Sequence, residues 1–216
     1  MNILVLGATG KTGREVVARA LAGGHTVTAF VRDPEKLQRS DVAVAVGDAR
    51  SVDDLGEALR GQDAVISTLG SGLNAKQNLI EGSTNALLRA MPNAGVRRLV
   101  MLSTFAASKS YRATGIMKLA SIVMNGIVAD KSAGEALLTR SRLDWTIVYA
   151  TRLTDGPRSG EYHAVEGTLT DVGTISRADV ADALLSTLSD HTSIRQGRVV
   201  TGPSPQRGLT LRALPR

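Results

Sequence analysis

The chain has 216 residues, of which 43% are hydrophobic, a length and composition that suit one α/β domain with a sizeable core. It contains no cysteine and no apolar run of membrane-spanning length, which argues against a disulfide scaffold, thiolate catalysis and a membrane partner. The net charge is +6, but the basic residues are scattered and only 3% of residues are aromatic, so no nucleic-acid partner is expected. Because the first residues already form a predicted strand and leave no room for a signal peptide, we expect a cytoplasmic protein.

The first predicted strand leads directly into a glycine-rich turn. The apolar run 3–6 is followed by the sequence Gly7-Ala8-Thr9-Gly10-Lys11-Thr12-Gly13. Gly7 can adopt backbone angles that a side chain would forbid, Gly10 lets a phosphate approach the main chain, and Gly13 lets the next helix pack closely on the strand. The N terminus of that helix offers free N–H groups and a partial positive charge to an anion. The turn therefore predicts the phosphate site of a dinucleotide.

Two other interpretations of this turn are weaker. The residues Gly10-Lys11-Thr12 look like the end of the nucleoside-triphosphate motif G-x-x-x-x-G-K-[ST], but that motif needs a glycine at position 5. This chain has Val5 there, inside the strand. The other alternative is a tight turn without a ligand. The position of the glycines, immediately after the first strand, favours dinucleotide binding.

The second strand gives evidence on the type of cofactor. A helix is predicted over 15–22 and a strand over 26–31, and Arg32 ends that strand. In a dinucleotide-binding unit this position meets the adenosine ribose, where an arginine suits the 2′-phosphate of NADP and an acid suits the 2′-hydroxyl of NAD. Asp33 precedes a proline and is interpreted as a helix cap rather than as an acid of the NAD type. NADP(H) is therefore preferred over NAD(H), with Lys11 adding positive charge.

The rest of the chain alternates between strands and helices. Further strands are predicted over 42–46, 63–69, 98–102, 143–149 and 198–200, and further helices over 51–59, 76–90, 109–140 and 178–188. Ser51 is interpreted as the cap of the helix over 51–59, and Ser176 as the cap of the helix over 178–188. This alternation predicts an α/β fold: a single Rossmann domain with a doubly wound parallel sheet and small C-terminal additions on the substrate side. We expect the domain to span residues 1–201 and residues 202–216 to form a flexible tail.

The candidate cofactor-binding residues come from the turn and from the ends of the strands, because ligands of such sheets bind beyond the C-terminal strand ends. Asp48 follows a strand interpreted as buried; it suits the adenine edge, with an ordinary turn residue as the alternative. The set from these positions is Gly7, Thr9, Gly10, Lys11, Thr12, Gly13, Arg32, Asp48, Ala49, Leu69, Gly70 and Ser103, and the family resemblance given below adds Lys131 as a cofactor-binding residue.

Two later segments are harder to interpret. The predicted helix over 109–140 has an apolar face between residues 116 and 128, for which packing against the sheet is favoured. A subunit interface through residues 116–131 and a membrane surface remain alternatives, so an oligomer is possible. Residues 151–173 are rich in glycine, threonine and charge, and a small hairpin is predicted there, with strands over 161–165 and 168–172.

Several of these motifs together resemble the atypical short-chain dehydrogenases, and within them the NAD(P)H-binding group that includes biliverdin-IXβ/flavin reductase and NmrA-like proteins. The resemblance extends from residue 1 to about residue 201 and is specific for fold and cofactor. It implies a Rossmann domain that holds NADP in extended form, with the nicotinamide near Ser103 and the loop after the sixth strand. The motifs are Gly7-Ala8-Thr9-Gly10-x-x-Gly13, Val31-Arg32-Asp33, Gly47-Asp48 and Leu143-Asp144-Trp145-Thr146-Ile147-Val148.

The chain departs from the catalytic pattern of this family. Ordinary short-chain dehydrogenases use a Tyr-x-x-x-Lys pair, in which tyrosine is the general acid and lysine holds the nicotinamide ribose. Lys131 matches the lysine, but Ile127 stands four residues earlier and has no proton to give. The resemblance therefore implies Ser103 and Lys131 as the catalytic candidates and makes a tyrosine-based carbonyl reduction doubtful. An ordinary strand-end hydroxyl and a solvated helix lysine are the alternatives for these two residues.

The function expected from these residues is an NADPH-dependent oxidoreductase that transfers hydride to a small conjugated acceptor, such as a flavin, quinone, enone or related carbonyl. A conjugated acceptor can take its proton from water, so no strong protein acid is required. Candidate substrate residues are Thr104 for orientation and Arg152 for an anionic group. If the acceptor is a carbonyl, Tyr149, Tyr162 or His163 would supply the proton.

Two alternatives to this function stay open. The first is a non-catalytic NADP(H)-binding sensor of the NmrA type, which would account for the missing catalytic tyrosine. The second is an isomerase, epimerase or dehydratase that uses a bound cofactor. The expected partner in every case is a small molecule, and no metal site is predicted from the sequence.

Overall fold

The computed structural model describes residues 1–70, 78–107, 116–165 and 173–203, and their side chains except those of 116–125 and 165. The helices are α1 (Lys11–Ala22), α2 (Val52–Ala58), α3 (Leu79–Asn93), α4 (Ile116–Thr139) and α5 (Arg177–Ser189). The strands are β1 (Asn2–Leu6), β2 (Thr26–Val31), β3 (Ala43–Val46), β4 (Ala64–Ser67), β5 (Arg98–Thr104), β6 (Asp144–Ala150), β7 (Arg152–Thr154), β8 (His163–Val165), β9 (Thr174–Ser176) and β10 (Gln196–Thr201).

The main sheet of the described residues has the strand order β3-β2-β1-β4-β5-β6-β10-β8. Its neighbouring strands are parallel, except that β8 runs antiparallel to β10. The order of strands reverses between β1 and β4, and sheets of this kind bind their ligands in the crevice outside the carboxyl ends of the strands at that point. The predicted fold class, a doubly wound α/β sheet, is confirmed.

Two hydrophobic cores cover the two faces of this sheet. Ile3 and Val5 of β1 belong to the core on the side of α1 and α5, whereas Leu4 and Leu6 belong to the core on the side of α2, α3 and α4. Successive side chains of a strand point to opposite faces, so a strand buried on both faces appears as a continuous apolar run. This is why the first strand could be recognised from its sequence.

Short polar side chains define where several helices begin, as the sequence predicts. The Ser51 hydroxyl accepts a hydrogen bond from the Asp54 N–H at the start of α2 (3.2 Å), and the Ser176 hydroxyl accepts one from the Asp179 N–H at the start of α5 (3.0 Å). The Asp33 carboxylate accepts the Glu35 N–H (3.1 Å) and caps a short 3₁₀ turn over Pro34–Leu37. Each cap satisfies a backbone donor that has no partner within its helix.

The structure corrects one predicted strand and adds a strand pair that the sequence did not predict. The third strand is an exposed edge strand rather than a buried one, with Val44 and Val46 43% and 60% exposed. The strand β8 pairs with β10, and the predicted second hairpin strand over 168–172 lies outside the described residues, as do residues 204–216 of the predicted tail. A separate parallel pair, β7 with β9, was not predicted.

Within the described ranges, no helix is both long and apolar enough to cross a membrane.

Candidate active site

The turn after β1 holds its shape through glycine and one threonine. Gly7 has a φ of +79°, and a Cβ there would lie 2.9 Å from the Thr68 hydroxyl, which itself donates to the Leu6 carbonyl at 3.0 Å. At Gly13 a Cβ would lie 2.1 Å from the Gly7 carbonyl oxygen, an impossible contact. The first turn of α1 can therefore sit directly against the turn only because residue 13 is glycine. This agrees with the role predicted for Gly13.

The N terminus of α1 is open to a ligand. Gly10 is the cap residue of this helix, its backbone is extended, and no side chain caps the helix there. Because the first N–H groups of a helix have no partner within the helix, they are available to an anion, and the helix dipole favours negative charge at this end. The residues of this turn thus fit the pyrophosphate of a dinucleotide, on the evidence of both the close glycine packing and the uncapped helix.

One exposed carboxylate links this turn to the C-terminal part of the chain. Lys11, the first residue of α1, lies 2.8 Å from the Asp155 carboxylate, and Arg177, the first residue of α5, lies 2.5 Å from the same group. The hydrogen bond from Lys11, aided by the charge of Arg177, lowers the pKa of Asp155. The two cations show that positive charge is gathered beside the open end of α1.

Positive charge also lies at the ends of β2 and β3. Arg32 is exposed and forms no hydrogen bond or salt bridge with another described residue. Asp48 is paired with Arg50 at 2.7 Å, and its pKa falls to about 2, chiefly through the Arg50 side chain and in smaller part through the charge of Arg32. The guanidinium of Arg32 is therefore available to an anionic ligand, whereas Asp48 is held by its neighbour.

A buried carboxyl group joins the ends of β5 and β6. Ser103 and Tyr149 are paired in register on these neighbouring strands, and both donate hydrogen bonds to Glu135 of α4. The Ser103 hydroxyl lies 2.5 Å from Glu135 Oε1, and the Tyr149 hydroxyl lies 2.8 Å from Glu135 Oε2. Burial raises the pKa of Glu135, and burial together with the adjacent Glu135 charge raises the pKa of Tyr149. We call Ser103, Glu135, Tyr149 and the nearby Lys131 the proton cluster.

Lys131 lies one helical turn before Glu135 and is only 8% exposed. Its ammonium group donates to the Leu102 carbonyl at 3.1 Å, and burial lowers its pKa to about 8, against the opposing influence of Glu135 and Asp130. The interpretation of Lys131 as a solvated helix lysine is therefore wrong. Its neighbour Asp130 accepts the backbone N–H of Ile80 (3.1 Å) and so caps the start of α3.

The structure brings together Ser103, Lys131 and Tyr149, but it does not join the other predicted substrate residues to them. Thr104 ends β5 and is half-buried, and Arg152 begins β7 with an exposed side chain. Tyr162 packs against the core on the side of α1 and α5, which is the opposite face of the sheet from the proton cluster. His163 is exposed and pairs with Thr201 on the edge strand β8.

The remaining candidate cofactor residues line the same edge of the sheet. Thr9 is half-buried and Thr12 is buried within the glycine-rich turn, and Ala49 is buried after β3. Leu69 and Gly70 follow β4, and residues 71–77 beyond them lie outside the described residues. No group of three or more histidine, aspartate or glutamate residues suited to a metal ion occurs in the part of the chain that the structure describes.

Sequence reasoning missed Glu135. Its signal was available, because a glutamate four residues after Lys131 lies on the same face of a helix. That face is the buried one, as Leu138, three residues further on, is fully buried in the core beneath the sheet. A charged pair on the buried side of a helix is unusual and points to a functional or network role.

The comparison with known proteins decides the family. A family model described as NAD(P)H-binding matches residues 7–191, which include the glycine-rich turn and the whole proton cluster. The chain belongs to this NAD(P)H-binding family. The resemblance to atypical short-chain dehydrogenases drawn from the motifs is thereby confirmed, and the family is one of NAD(P)H-dependent oxidoreductases.

Relatives of this NAD(P)H-binding protein carry varied names. The photosystem II assembly factor Ycf39 of Synechocystis sp. is 31% identical over 155 aligned positions, and the alignment covers 68% of this chain but only 44% of Ycf39. YhfK of Bacillus subtilis, named an uncharacterized sugar epimerase, is 27% identical over 218 aligned positions, and the alignment covers 95% of this chain and 96% of YhfK. The structure of ChuY, an anaerobillin reductase from Escherichia coli O157:H7, has a TM-score of 0.82 at 23% identity and covers 96% of this chain and 100% of ChuY. This last likeness is one of fold.

Proposed function

We propose that the protein is an NADPH-dependent reductase of a small conjugated acceptor, such as a flavin, quinone, enone or related carbonyl. The observation that carries the proposal is the proton cluster, in which the hydroxyls of Ser103 and Tyr149 lie 2.5 Å and 2.8 Å from one buried carboxyl group. The cluster sits at the C-terminal ends of β5 and β6, the edge of the sheet at which α/β proteins bind their ligands. The reductase named among the solved structures of the same fold is consistent with it.

The cofactor is assigned to the crevice from the glycine-rich turn to the end of β5. The first turn of α1 would hold the pyrophosphate, and Arg32 would hold the 2′-phosphate, since it is exposed and has no described partner. A bound NADPH would supply hydride to the acceptor. The nicotinamide end would lie near Ser103 and Lys131, as the family resemblance implies.

The acceptor would lie beside Tyr149. This side chain is half-buried and packs with the buried residues Phe105 and Val199, which fix the position of its ring. The exposed part of an aromatic ring suits a flat, conjugated molecule, because ring faces stack. Tyr149 would then take the place of the tyrosine missing from the position of Ile127 on α4, and its hydroxyl, rather than water, would give a proton to the reduced acceptor.

The test is NADPH oxidation, followed by absorbance, against a panel of flavins, quinones, enones and aldehydes. We expect turnover with one acceptor class, and a fall in kcat of about 100-fold in Tyr149→Phe with little change in NADPH affinity, as for loss of a general acid. Tyr162→Phe is the control, because it removes a phenol hydroxyl of the same kind on the opposite face of the sheet. A larger loss in Tyr162→Phe than in Tyr149→Phe would contradict the assignment of the acid.

Binding measurements separate the alternatives. Tight NADPH binding without turnover of any acceptor would favour a non-catalytic sensor of the NmrA type over the reductase. No binding of NADPH at all would contradict the assignment of residues 7–13 as a phosphate site.

A further inference from the structure

Each of the two carboxyl oxygens of Glu135 forms a hydrogen bond with a hydroxyl group, and Glu135 itself is only 7% exposed. Ser103 reaches Oε1 from β5, and Tyr149 reaches Oε2 from β6, so the carboxyl group is held on both sides by neighbouring strands. The ring of Tyr149 lies over Gly197 of β10, where a Cβ would come within 2.9 Å of the ring. The absence of a side chain at residue 197 therefore allows the hydroxyl to reach Glu135.

The protonation state of Glu135 decides what Tyr149 can offer to a ligand. A carboxylate has no proton, so both hydroxyls must donate to it, and each then presents only lone pairs to the crevice. A neutral carboxylic acid carries one proton and can donate it to one of the two hydroxyls. When that hydroxyl is Tyr149, the phenol accepts from Glu135 and its own proton is free to point away from α4.

We propose that Glu135 is a positioning residue that stores the proton of the reduction and delivers it through the hydroxyl of Tyr149 to the acceptor. This inference rests on the proposed reductase function and adds the source of its proton. It assigns to α4 a role in proton supply that does not require a tyrosine at position 127.

The proton step balances without any further reagent. The O–H bond of Tyr149 breaks and a new bond to hydrogen forms at the reduced acceptor, while the O–H bond of Glu135 breaks and the O–H bond of Tyr149 forms again. The two electrons of the reduction come with the hydride, so these transfers move protons only. Glu135 is left as a carboxylate and takes a proton from solvent before the next turnover.

The surroundings of Glu135 can stabilise both its neutral acid and its carboxylate. The neutral acid is favoured by burial, which raises the pKa of Glu135. The carboxylate formed after transfer would be stabilised by the Ser103 hydroxyl and by Lys131, whose charge lies one helical turn away on α4. The other charged group on this stretch of α4 is Asp130, whose carboxylate accepts N–H groups from the start of α3. On β6 the titratable neighbour is Tyr149 itself.

The experiment measures kcat against pH for the full-length protein with the acceptor that turns over, in wild type, Glu135→Gln, Glu135→Asp and Glu57→Gln. We expect the wild-type rate to fall as the pH rises and Glu135 loses its proton. Glu135→Gln should lose about tenfold in kcat and lack this pH dependence, because an amide can hold Ser103 and Tyr149 but stores no acid proton. Glu135→Asp, which keeps a carboxyl group, should retain part of the dependence of kcat on pH. Glu57→Gln, an exposed change on α2, should have the kcat and the pH dependence of wild type.

A second readout does not depend on turnover. In protein with labelled glutamate, the carboxyl carbon resonance that disappears in Glu135→Gln identifies Glu135, and its shift against pH gives the titration of this group. We expect the titration to coincide with the fall in kcat and to lie above the ordinary range of glutamate. A rate profile unchanged in Glu135→Gln, or a Glu135 that titrates in the ordinary range, would overturn the inference. If no acceptor turns over, the proposed function fails, whereas the titration still reports whether Glu135 holds a proton.

Discussion

The glycine-rich turn of residues 7–13 and the proton cluster lie at the same edge of the sheet, but they are built in different ways. The turn is a continuous stretch of chain, and its geometry follows from the contact between Gly13 and Gly7. The proton cluster draws one residue from each of β5 and β6 and two from α4, and strand pairing brings Ser103 and Tyr149 together across 46 positions of sequence. The proposed phosphate site therefore follows from a local motif, whereas the proposed chemistry depends on packing between separate elements.

The difference predicts that single changes will damage the two regions in different ways. A change in the turn should act on the fold of β1 and α1 or on phosphate binding. A change in the cluster should act on proton supply and on the pH dependence of stability, since the surroundings of Lys131, Glu135 and Tyr149 shift the pKa values of these ionisable groups.

The largest effect is expected at Gly13. In Gly13→Ala the new methyl group would collide with the Gly7 carbonyl, so we expect the free energy of unfolding to fall by about 3 kcal/mol or more. In Gly10→Ala the Cβ would lie 3.3 Å from the same oxygen, a contact that a small shift can relieve. That variant should stay folded but bind NADPH at least about tenfold more weakly. Urea denaturation and NADPH titration measure the two effects, and equal destabilisation of both variants would contradict the distinction.

The second effect is expected at Lys131, and it is a change in how the free energy of unfolding depends on pH. Its pKa in the folded protein, about 8, lies below its ordinary value of 10.5, so the unfolded chain binds more protons between these values. The contribution of this group to the free energy of unfolding therefore rises as the pH increases through that window, by about 3 kcal/mol. Lys131→Met should remove the rise.

Tyr149 contributes a pH dependence of the opposite sign at higher pH, because its pKa is raised in the folded protein. This contribution is present in both wild type and Lys131→Met, so the difference between their unfolding curves isolates Lys131. Lys36→Met removes an exposed lysine and serves as the control. Parallel curves for wild type and Lys131→Met would show that Lys131 is not buried as described.

The smallest effect is expected at Arg32. Arg32→Ala should weaken NADPH binding about tenfold, close to 1.4 kcal/mol, because a charge-assisted contact to the 2′-phosphate is lost. NADH, which has no such phosphate, should bind with its affinity changed by less than about twofold. Arg89→Ala removes a similar exposed charge from α3 and is the matched control. Equal weakening for both cofactors, measured by isothermal titration, would assign Arg32 a general rather than a phosphate-specific role.

The amino-acid sequence alone was enough to predict the parallel sheet, the glycine-rich turn and the helix caps at Ser51 and Ser176. These features depend on residues close together in the chain: a strand buried on both faces makes an apolar run, a positive φ favours glycine, and a cap is set within three residues. The same local character explains why the family could be recognised from short motifs such as the one at residues 7–13.

The grouping of the polar side chains could not be predicted in this way, because it depends on contacts between distant parts of the chain. Lys131 could be interpreted from its sequence as a solvated helix lysine, and Tyr149 as one of three possible acids. Burial of α4 against β5 and β6 removed Lys131 from water and placed Glu135 between Ser103 and Tyr149. The same packing put Tyr162 on the other face of the sheet. Such contacts join residues far apart in the chain, and a low-dielectric surrounding gives them shifted pKa values that no local pattern of residue types encodes.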